Sequence, residues 1–301
     1  MIWGERMDQH GHGAQLRRME RGDLQTVLDL INIEGWDYYI SELERMIAVD
    51  PENSVIACSG NMIVGAITVA VSGGRCVLGH VVVRNGWRNK GIGRIMMDHL
   101  AKKMDSQGVG VMEAFAVKAA VAFYKRHGYQ TIEEIDTYDR VLTDQDVLGV
   151  PEEGGRIAPI EKGSLDNICR LDRTITGFDR KDFLNQLMGE FPAMAKGLFE
   201  DTEMAGFILA RTNPIMNDIG PWVMERPDLD DGIMMLKSIL GEMRPGQKTI
   251  AGITPNNAVS REILHVLGFK KIHKSYRMLR SKGAKELFRP GMMTIGAFEF
   301  G

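Results

Sequence analysis

Apolar and polar positions alternate along the first half of the chain with two distinct periods, which predict its strands and helices. Runs rich in β-branched residues with a period of two are typical of strands, and apolar residues three and four positions apart are typical of amphipathic helices. Strands are predicted at 14–19, 54–59, 62–71, 76–83 and 109–115. Helices are predicted from Asp23, as the N-cap, to Ile31, from Ser41 to Val49, and from Ile92 onward. This order predicts a mixed sheet of the α/β (α+β) class.

The stretch from Gly79 to Leu100 joins a strand to a helix through a glycine turn. Val81, Val82 and Val83 form the apolar end of the strand, and Ile92 begins the helical pattern. A strand that runs through such a turn into a helix leaves backbone N–H groups without partners, and the helix dipole adds positive potential there.

Three cations, Arg88, Lys90 and Arg94, surround this turn. The turn therefore predicts an anion site whose size suits a pyrophosphate. Its spacing is not Gly-x-Gly-x-x-Gly, and it lacks the Gly-Lys-Ser/Thr of a P-loop. The alternative interpretation is a basic turn whose two glycines allow tight packing.

Two motifs in this region resemble those of the GNAT-type N-acetyltransferases. Arg88-Asn89-Lys90-Gly91-Ile92-Gly93 is similar to the Arg/Gln-x-x-Gly-x-Gly/Ala signature of that superfamily. Further on, Ala122-Phe123-Tyr124-Lys125-Arg126-His127-Gly128-Tyr129 resembles its helix ending in Phe/Leu-Tyr-x-x-x-Gly-Phe/Tyr, and Gly128 suits the C′ position of a helix. The motifs stand in the family's order, and the resemblance covers residues 14–142.

The resemblance implies that this first domain binds acetyl-CoA or another acyl-CoA. The turn would hold the pyrophosphate, and the strand Val81–Val83 would pair with the pantetheine amides. Tyr124 matches the family's tyrosine, which protonates the leaving thiolate; alternatively, it is a helix residue that packs on the sheet. The implied cofactor-binding residues are Val81, Val82, Val83, Arg88, Asn89, Lys90, Gly91, Ile92, Gly93, Arg94, Phe123 and Tyr124.

No residue of the sequence is assigned as the general base. Family members often carry a Glu on the strand before the glycine turn, whereas Val77 and Gly79 occupy the matching parity here. His80 is adjacent and is expected to point to the other face, and Glu113 on the next strand is a weaker candidate. The family's Asn ahead of the Phe-Tyr helix is also absent, because Val117 stands there.

In this family, the two helices before the hairpin usually build the acceptor side of the site. The candidate substrate residues are Trp36, Tyr38, Tyr39 and His80. Aromatic packing between helix and sheet is an equally good explanation for the three aromatic residues.

The second half of the sequence repeats features of the first. Residues 19–24 match 160–165, residues 63–67 match 204–208, and residues 127–129 match 267–269. The offsets are 141, 141 and 140 residues (163 − 22, 206 − 65 and 268 − 128). We therefore predict two tandem GNAT-like acyl-CoA N-acyltransferase domains. The predicted divisions are a disordered N-terminal tail at 1–13, a cofactor-binding domain at 14–143, a linker at 144–156 and a degenerate domain at 157–301.

The second copy lacks the basic glycine turn. Pro227-Asp228-Leu229-Asp230-Asp231 stands in its place, and these carboxylates favour the helix dipole themselves and would repel a pyrophosphate. Leu264 replaces the tyrosine. The sequence thus resembles two-domain acetyltransferases whose C-terminal domain is degenerate, and the closing segment 294–301 is similar to theirs.

Four residues of the second copy could face a cationic acceptor with acidic and aromatic surface: Asp172, Asp179, Asp218 and Trp222. The alternative is that the carboxylates are helix caps, surface charges or ion pairs within Asp172-Arg173 and Asp179-Arg180.

Composition narrows the classes of function. The chain has 301 residues, enough for two domains, and its net charge of −3 disfavours nucleic acid or an anionic membrane as a partner. Cys58, Cys76 and Cys169 form neither a Cys-x-x-Cys pair nor an even set, so neither a disulfide framework nor a metal site is predicted. Without a bilayer-spanning run or a signal-peptide pattern, a cytoplasmic location without membrane partners is predicted.

The leading hypothesis is an enzyme, an N-acetyltransferase. It would move an acetyl group from acetyl-CoA to a primary amine of a small molecule or amino acid, by direct attack in a ternary complex. Two rival hypotheses stay open: an acyl-CoA-binding regulatory or sensor protein without turnover, and a protein or peptide N-acetyltransferase. The acceptor, the acyl chain length and the oligomeric state are left open by the sequence.

Overall fold

The computed structural model describes residues 13–148, 156–281 and 290–296. The α-helices are α1 (Leu24–Asn32), α2 (Ile40–Val49), α3 (Ile92–Ser106), α4 (Val121–Arg126), α5 (Asp144–Leu148), α6 (Leu165–Thr176), α7 (Lys181–Glu190), α8 (Leu229–Leu240) and α9 (Ala258–Val266). The strands are β1 (Gln15–Arg18), β2 (Val55–Ser59), β3 (Met62–Ser72), β4 (Arg75–Val83), β5 (Val111–Ala116), β6 (Gln130–Val141), β7 (Ile157–Pro159), β8 (Ala195–Glu200), β9 (Glu203–Thr212), β10 (Met216–Met224), β11 (Lys248–Ile253), β12 (Lys270–Ser281) and β13 (Met292–Thr294).

Contacts divide the chain into two compact units. Of the described residues, the first unit contains 13–131 and 278–281, and the second contains the others. Most of β6 therefore belongs to the second unit, and the end of β12 belongs to the first. Each unit contains a mixed sheet, which confirms the predicted α/β class.

In the first unit, the strands follow the order β1-β2-β3-β4-β5. They are antiparallel from β1 to β4, and β5 is parallel to β4. Neighbouring residues of β3 face different helices, on opposite sides of the sheet. A Cβ built on Gly65 would lie 2.8 Å from Met96 of α3, whereas Ala66 packs in a core with Leu28 and Ile31 of α1. Helices therefore cover both faces of this sheet.

A β-bulge interrupts β4 shortly before the basic turn. The register of β3 with β4 shifts between Ile67 and Val69, so that Gly79 and His80 oppose the single residue Thr68. A bulge of this kind bends its strand and redirects the side chains beyond it.

At the same place, β4 and β5 separate. Their parallel pairing ends at Leu78–Ala114. Residues 79–83 of β4 continue beside β3 on one side. On the other side, which β5 occupies earlier in the strand, the backbone groups of these residues are not part of the parallel pairing. Such an edge can pair with another extended chain.

In the second unit, the strand order is β12-β6-β11-β10-β9-β8-β7, and β13 pairs with β10. The same irregularity recurs here. The register of β9 with β10 shifts between Ile219 and Trp222, so that Gly220 and Pro221 oppose Leu209. Gly220 and Pro221 stand 141 residues after the bulge of β4 (220 − 79), which extends the repeat from sequence to structure.

Asp23 directly precedes α1 but does not cap it. Its backbone is already helical, because the chain enters α1 through a 3₁₀ turn, Arg21–Asp23. Its carboxylate instead accepts hydrogen bonds from the Glu20 N–H at 2.8 Å and from the Arg17 guanidinium at 2.7 Å. Asp23 therefore occupies the predicted N-cap position of α1 without making a side-chain capping bond.

In the second unit, Asp172 and Asp179 form ion pairs with arginines that are not their neighbours in the sequence. Asp172 pairs with Arg180 at 2.6 Å, and Asp179 pairs with Arg173 at 2.7 Å. Gly177, in a left-handed conformation at the end of α6, turns the chain so that the distant partners meet. The first pair is buried, and the second is largely exposed.

Trp222 and Asp218 form no acidic and aromatic surface of the kind considered for a cationic acceptor. Trp222 is fully buried in the core of the second unit. Asp218 is buried in an ion pair with Arg211 at 2.5 Å. These side chains therefore serve the interior of the unit.

Several predicted segments fall partly outside the described residues. Of the predicted tail at 1–13, only Gly13 is described, and the end of the closing segment, 297–301, lies outside as well. The predicted linker begins with α5, and its residues 149–155 lie outside the described ranges. Cys58, Cys76 and Cys169 are free thiols. Among the described helices, none is long and apolar enough to cross a bilayer.

Candidate functional site

The turn between β4 and α3 is built on left-handed backbone conformations. Gly86, Asn89 and Gly91 have φ angles of 78°, 61° and 82°. Glycine and asparagine are the residues that adopt this conformation at least cost. Gly91 is the N-cap of α3 and has no side chain to accept the first N–H groups of the helix. The turn thus presents backbone donors and the positive end of a helix dipole.

Each of the three cations of the turn already has a partner. Arg88 donates from Nε to the Val83 carbonyl at 3.0 Å and forms an ion pair with Glu34. Arg94 pairs with Asp98, one turn along α3, at 3.5 Å. Because these side chains are exposed and paired, the backbone donors would be the fixed part of the predicted anion site, and the cations would contribute a screened, adjustable charge.

Lys90 lies over the ring of Trp87, with its Nζ 5.1 Å from the ring centroid. This cation–π contact holds the ammonium group at the turn without neutralising it.

Gly93, Val83 and Phe123 converge at the first turn of α3. A Cβ built on Gly93 would lie 3.2 Å from the Phe123 ring and 3.7 Å from Val83 Cγ2. The absence of a side chain at Gly93 therefore lets α3 approach the end of β4 and the helix α4. This brings together residues from both motifs of the sequence analysis.

Tyr124 lies in an aromatic cluster behind Phe123. Its ring centroid is 5.5 Å from that of Phe123 and 5.4 Å from that of Tyr129. Tyr124 is 6% exposed, and its burial raises the pKa of its phenol above the ordinary tyrosine value. Its hydroxyl hydrogen is therefore retained throughout the physiological pH range.

On the opposite face of β4, three of the four candidate substrate residues meet. The His80 ring is 4.2 Å from the Tyr38 ring and 6.1 Å from the Trp36 ring, centroid to centroid. His80 is 1% exposed, whereas Trp36 and Tyr38 are half-buried. Tyr39 stands apart from this cluster as the exposed N-cap residue of α2. The two half-buried rings therefore form the accessible part of the cluster, with His80 behind them.

Thr68 fixes the orientation of His80. Its Oγ1 accepts the His80 backbone N–H at 2.9 Å and is 2.8 Å from His80 Nδ1. Both contacts exist because the bulge places two residues of β4 opposite this single threonine.

The weaker candidate for the general base, Glu113, is already paired. Its carboxylate is fully buried in an ion pair with Arg75 at the start of β4. Removing one partner of a buried ion pair is costly, because it leaves the other charge buried and uncompensated. This contact assigns Glu113 a structural role.

In the second unit, the corresponding turn is half as long. Residues 225–228 join β10 to α8, compared with residues 84–91 in the first unit. Asp228 caps α8 by accepting the N–H groups of Asp230 and Asp231 at 3.0 Å. Leu264, at the position of Tyr124, is buried in the hydrophobic core. The helix terminus that corresponds to the predicted anion site of the first unit is thus occupied by the protein's own carboxylate.

Two residues that contact the candidate site, Thr68 and Glu34, were not identified by the sequence analysis. Each acts on a residue far along the chain: Thr68 is 12 positions from His80, and Glu34 is 54 positions from Arg88. Their contacts depend on a bulge and on a loop conformation that local patterns do not specify.

Two segments of the chain match protein-family models that carry the same description. Residues 24–143 match a model described as an acetyltransferase (GNAT) domain, and residues 168–293 match a second model with the same description. Among curated proteins, the chain is similar to an acetyltransferase of Yersinia enterocolitica, with 23% identity over 139 residues, covering 44% of this chain and 99% of that protein.

Solved structures are similar over both units. A crystal structure from Pyrococcus horikoshii has a TM-score of 0.80 at 16% identity and covers 99% of this chain and 100% of that chain. A tandem GNAT protein from the clavulanic acid biosynthesis pathway has a TM-score of 0.62 at 14% identity and covers 91% of this chain and 100% of that chain. At such low identity these likenesses show a shared fold.

Proposed function

The chain belongs to the GNAT acetyltransferase family, and from this premise we propose that its first unit transfers an acetyl group from acetyl-CoA to the primary amine of a small molecule or amino acid. The observation that carries this proposal is the anion-binding turn at the start of α3 beside the split between β4 and β5. An uncapped helix terminus and an open strand edge are the two features that an acyl-CoA requires, one for its pyrophosphate and one for its pantetheine amides.

The residues present fit that cofactor. The backbone of the turn, with Asn89 and Gly91 in left-handed conformations, would hold the pyrophosphate. The edge of β4 at Val81–Val83 would pair with the pantetheine, and Phe123 would contact it beside Gly93.

Bound acetyl-CoA supplies the thioester, whose acyl carbon forms a bond to the amine nitrogen as the carbon–sulfur bond breaks. The edge of β4 orients this group, which removes much of the entropic cost of bringing two reactants together. Tyr124 holds a proton that it can donate to the leaving thiolate. The acceptor would attack as the neutral amine, the positive charge formed on its nitrogen would be lost as a proton to water, and Tyr124 would regain its proton from water.

Trp36 and Tyr38 form the acceptor side of the proposed site. Their rings are half-buried and are backed by His80, which Thr68 holds in place. Aromatic faces attract a cationic ammonium group and pack against apolar stems, so this wall suits an amine that carries a hydrocarbon body.

The proposal is tested by titrating the purified protein with acetyl-CoA in a calorimeter and then following free thiol release over a panel of small amines. We expect binding at one site and release of CoA that depends on the amine. Thiol release without amine measures background hydrolysis and is subtracted.

Three results would contradict the proposal. Binding without release from any amine, including amino-terminal peptides, would favour the sensor hypothesis. Release with peptides and not with small amines would identify a peptide acetyltransferase. The absence of acetyl-CoA binding would overturn the assignment of the turn itself.

A further inference from the structure

In the second unit, the cleft that corresponds to the proposed pantetheine site is filled by the chain's own C-terminal segment. The parallel pairing of β10 and β11 ends at Ile219–Ala251, at the position where β4 and β5 separate in the first unit. Beyond this point, β13 pairs with β10 in antiparallel register, with Thr294 opposite Trp222 and Met292 opposite Val223.

The segment bonds to both walls of the split. The Met224 N–H donates to the Gly291 carbonyl at 2.9 Å, and the Ile295 N–H donates to the Gly252 carbonyl of β11 at 3.0 Å. Residues 291–295 therefore bridge the two strands that have separated.

The offset of the repeat places this segment on the cofactor edge. Trp222–Met224 stand 141 residues after Val81–Val83 (222 − 81), the residues proposed to pair with pantetheine. The bulge that precedes this edge has the same offset in both units. The same strand edge thus faces the proposed cofactor in one unit and a peptide in the other.

Asn257, the N-cap residue of α9, holds the segment in place by hydrogen bonds. Its Nδ2 donates to the carbonyls of Pro290 at 3.2 Å and Met292 at 2.9 Å, while its Oδ1 caps α9 by accepting the Ser260 N–H at 2.9 Å. The Ser260 hydroxyl donates to the Met293 carbonyl at 2.8 Å. In the first unit the position equivalent to Asn257, at an offset of 140 (257 − 117), is Val117, which has no such donor.

The fit leaves no space for larger residues. A Cβ built on Gly291 would lie 2.5 Å from the Met224 carbonyl oxygen, and one on Gly220 would lie 2.6 Å from the Gly296 Cα. Met293 is fully buried in the core of the unit. An extended peptide with a glycine at one position and an apolar side chain two positions later matches this cleft.

We propose that the second unit has exchanged an acyl-CoA site for a peptide-strand site, and that residues 290–296 are its resident ligand in place of pantetheine. The capped helix α8 supports this exchange, because Asp228 occupies the terminus where a pyrophosphate would bind. The inference concerns the second unit and does not depend on turnover by the first.

The first test is hydrogen exchange on the intact chain with and without saturating acetyl-CoA. We expect slow exchange at 222–224 and 291–295 that acetyl-CoA leaves unchanged, whereas exchange at 79–83 slows when acetyl-CoA is added. Acetyl-CoA that accelerates exchange at 291–295 would overturn the proposal, because it would show competition for the cleft. Failure of protection at 79–83 alone would contradict the proposed function and leave this inference standing.

A second test measures peptide binding directly. A protease recognition sequence is inserted after position 284, the folded protein is cut, and the fragment is followed by gel filtration. We expect the fragment to stay bound and a labelled synthetic peptide of residues 288–301 to exchange with it. The same peptide with Gly291→Ala should bind roughly 5- to 150-fold more weakly, since overpacking of a filled site costs about 1–3 kcal/mol and every 1.4 kcal/mol is about tenfold in affinity.

Asn257→Asp supplies the control that separates ligand binding from helix capping. Aspartate retains the Oδ1 acceptor for Ser260 and, as a carboxylate at a helix N-terminus, caps at least as well as asparagine. It loses the donor and places negative charge against two carbonyls. We expect faster fragment release and faster exchange at 291–295 in this variant. An unchanged release rate, or a fragment that leaves the wild-type chain at once while the remainder stays folded, would refute the proposal.

Discussion

At the scale of single residues, Tyr124 is the side chain on which the proposed chemistry depends most. It is buried beside Phe123, and the same burial raises its pKa, so that it carries its proton at any pH at which the enzyme works. A raised pKa makes the phenol a weaker acid in the free protein but ensures that a hydrogen-bond donor is present where the thiolate forms.

Tyr124→Phe should therefore lower kcat by about 10²-fold, at the lower end of the range for general acid catalysis, and leave the Kd for acetyl-CoA nearly unchanged. Because the phenol stays protonated as pH rises, the reduction should be the same from pH 7 to pH 9. Steady-state rates and calorimetry check both quantities.

Tyr129→Phe is the matched control for that variant. It removes the same hydroxyl from a ring 5.4 Å away, in the same buried cluster. Equal rates for the wild type and both variants would remove Tyr124 from the mechanism, and equal losses in both variants would indicate a packing effect.

Thr68 contributes to the proposed site indirectly, because it holds His80 in position. Thr68→Val keeps the shape of the side chain but removes the hydroxyl that bonds to His80 N and contacts Nδ1. We expect a loss of about 1–3 kcal/mol in the free energy of unfolding, the usual cost of leaving buried polar groups without a partner. The KM for the amine should rise while the Kd for acetyl-CoA stays constant.

Thr68→Ser tests the reason for this effect, because serine restores the hydroxyl and loses only a methyl group. It should recover most of the stability in urea titrations and most of the amine affinity. If the serine variant behaves like the valine variant, the hydroxyl contact does not hold the aromatic wall in place.

At the scale of elements, the turn from 84 to 91 decides whether the start of α3 is an anion site. Gly86, Asn89 and Gly91 of this turn have left-handed conformations, and Gly91 leaves the helix terminus without a side-chain cap. The shorter turn at 225–228 instead places Asp228 on the terminus of α8. The two units therefore show the same element with opposite charge preference, caused by turn length and one capping side chain.

Gly91→Asp should give α3 a carboxylate at its N-cap, as Asp228 gives α8. The carboxylate would cap α3 and repel the pyrophosphate, and we expect the Kd for acetyl-CoA to rise by about 10²-fold or more. Calorimetry measures the change.

Gly108→Asp is the control for backbone strain. Gly108 has a φ of 74°, close to the 82° of Gly91, and lies just beyond the other end of α3 in open space. It should lose similar stability and keep its affinity. Retained affinity in Gly91→Asp would mean that the pyrophosphate lies elsewhere.

At the scale of the whole molecule, two related units differ in what occupies their clefts. The first unit has an open edge at 79–83, and the corresponding edge of the second is paired with β13. One acyl-CoA per chain is therefore the expected stoichiometry.

Ligand binding should also stabilise the two units unequally. At 100 times its Kd, acetyl-CoA should add about 2.7 kcal/mol to the unit that binds it. We expect calorimetric scans and hydrogen exchange to show this increase in the first unit only. A titration that saturates at two acetyl-CoA per chain would contradict both the stoichiometry and the assignment of the second cleft.

The sequence by itself determined the class of fold, the family and the position of the turn, because these depend on local patterns. The β-branched run at Val81–Val83, the glycines at 91 and 93, and the repeat offset near 141 residues are all readable without coordinates. The acidic replacement at 228–231 likewise predicted carboxylates at the start of a helix, and α8 begins there, with Asp228 at its N-cap.

Tertiary structure alone decided the contacts that join distant residues. Asp23 stands at the N-cap position of α1 as predicted, but a 3₁₀ turn precedes α1 and the Asp23 side chain bonds to Arg17 and Glu20 instead of to the helix. The ion pairs considered between sequence neighbours are instead formed by Asp172 with Arg180 and by Asp179 with Arg173. The bulge at Gly79–His80 and the pairing of β13 with β10 depend on strand register, which the alternation of side chains specifies only within one strand. Local periodicity therefore fixes what each segment becomes, and the packing of segments fixes which cleft stays open for a ligand.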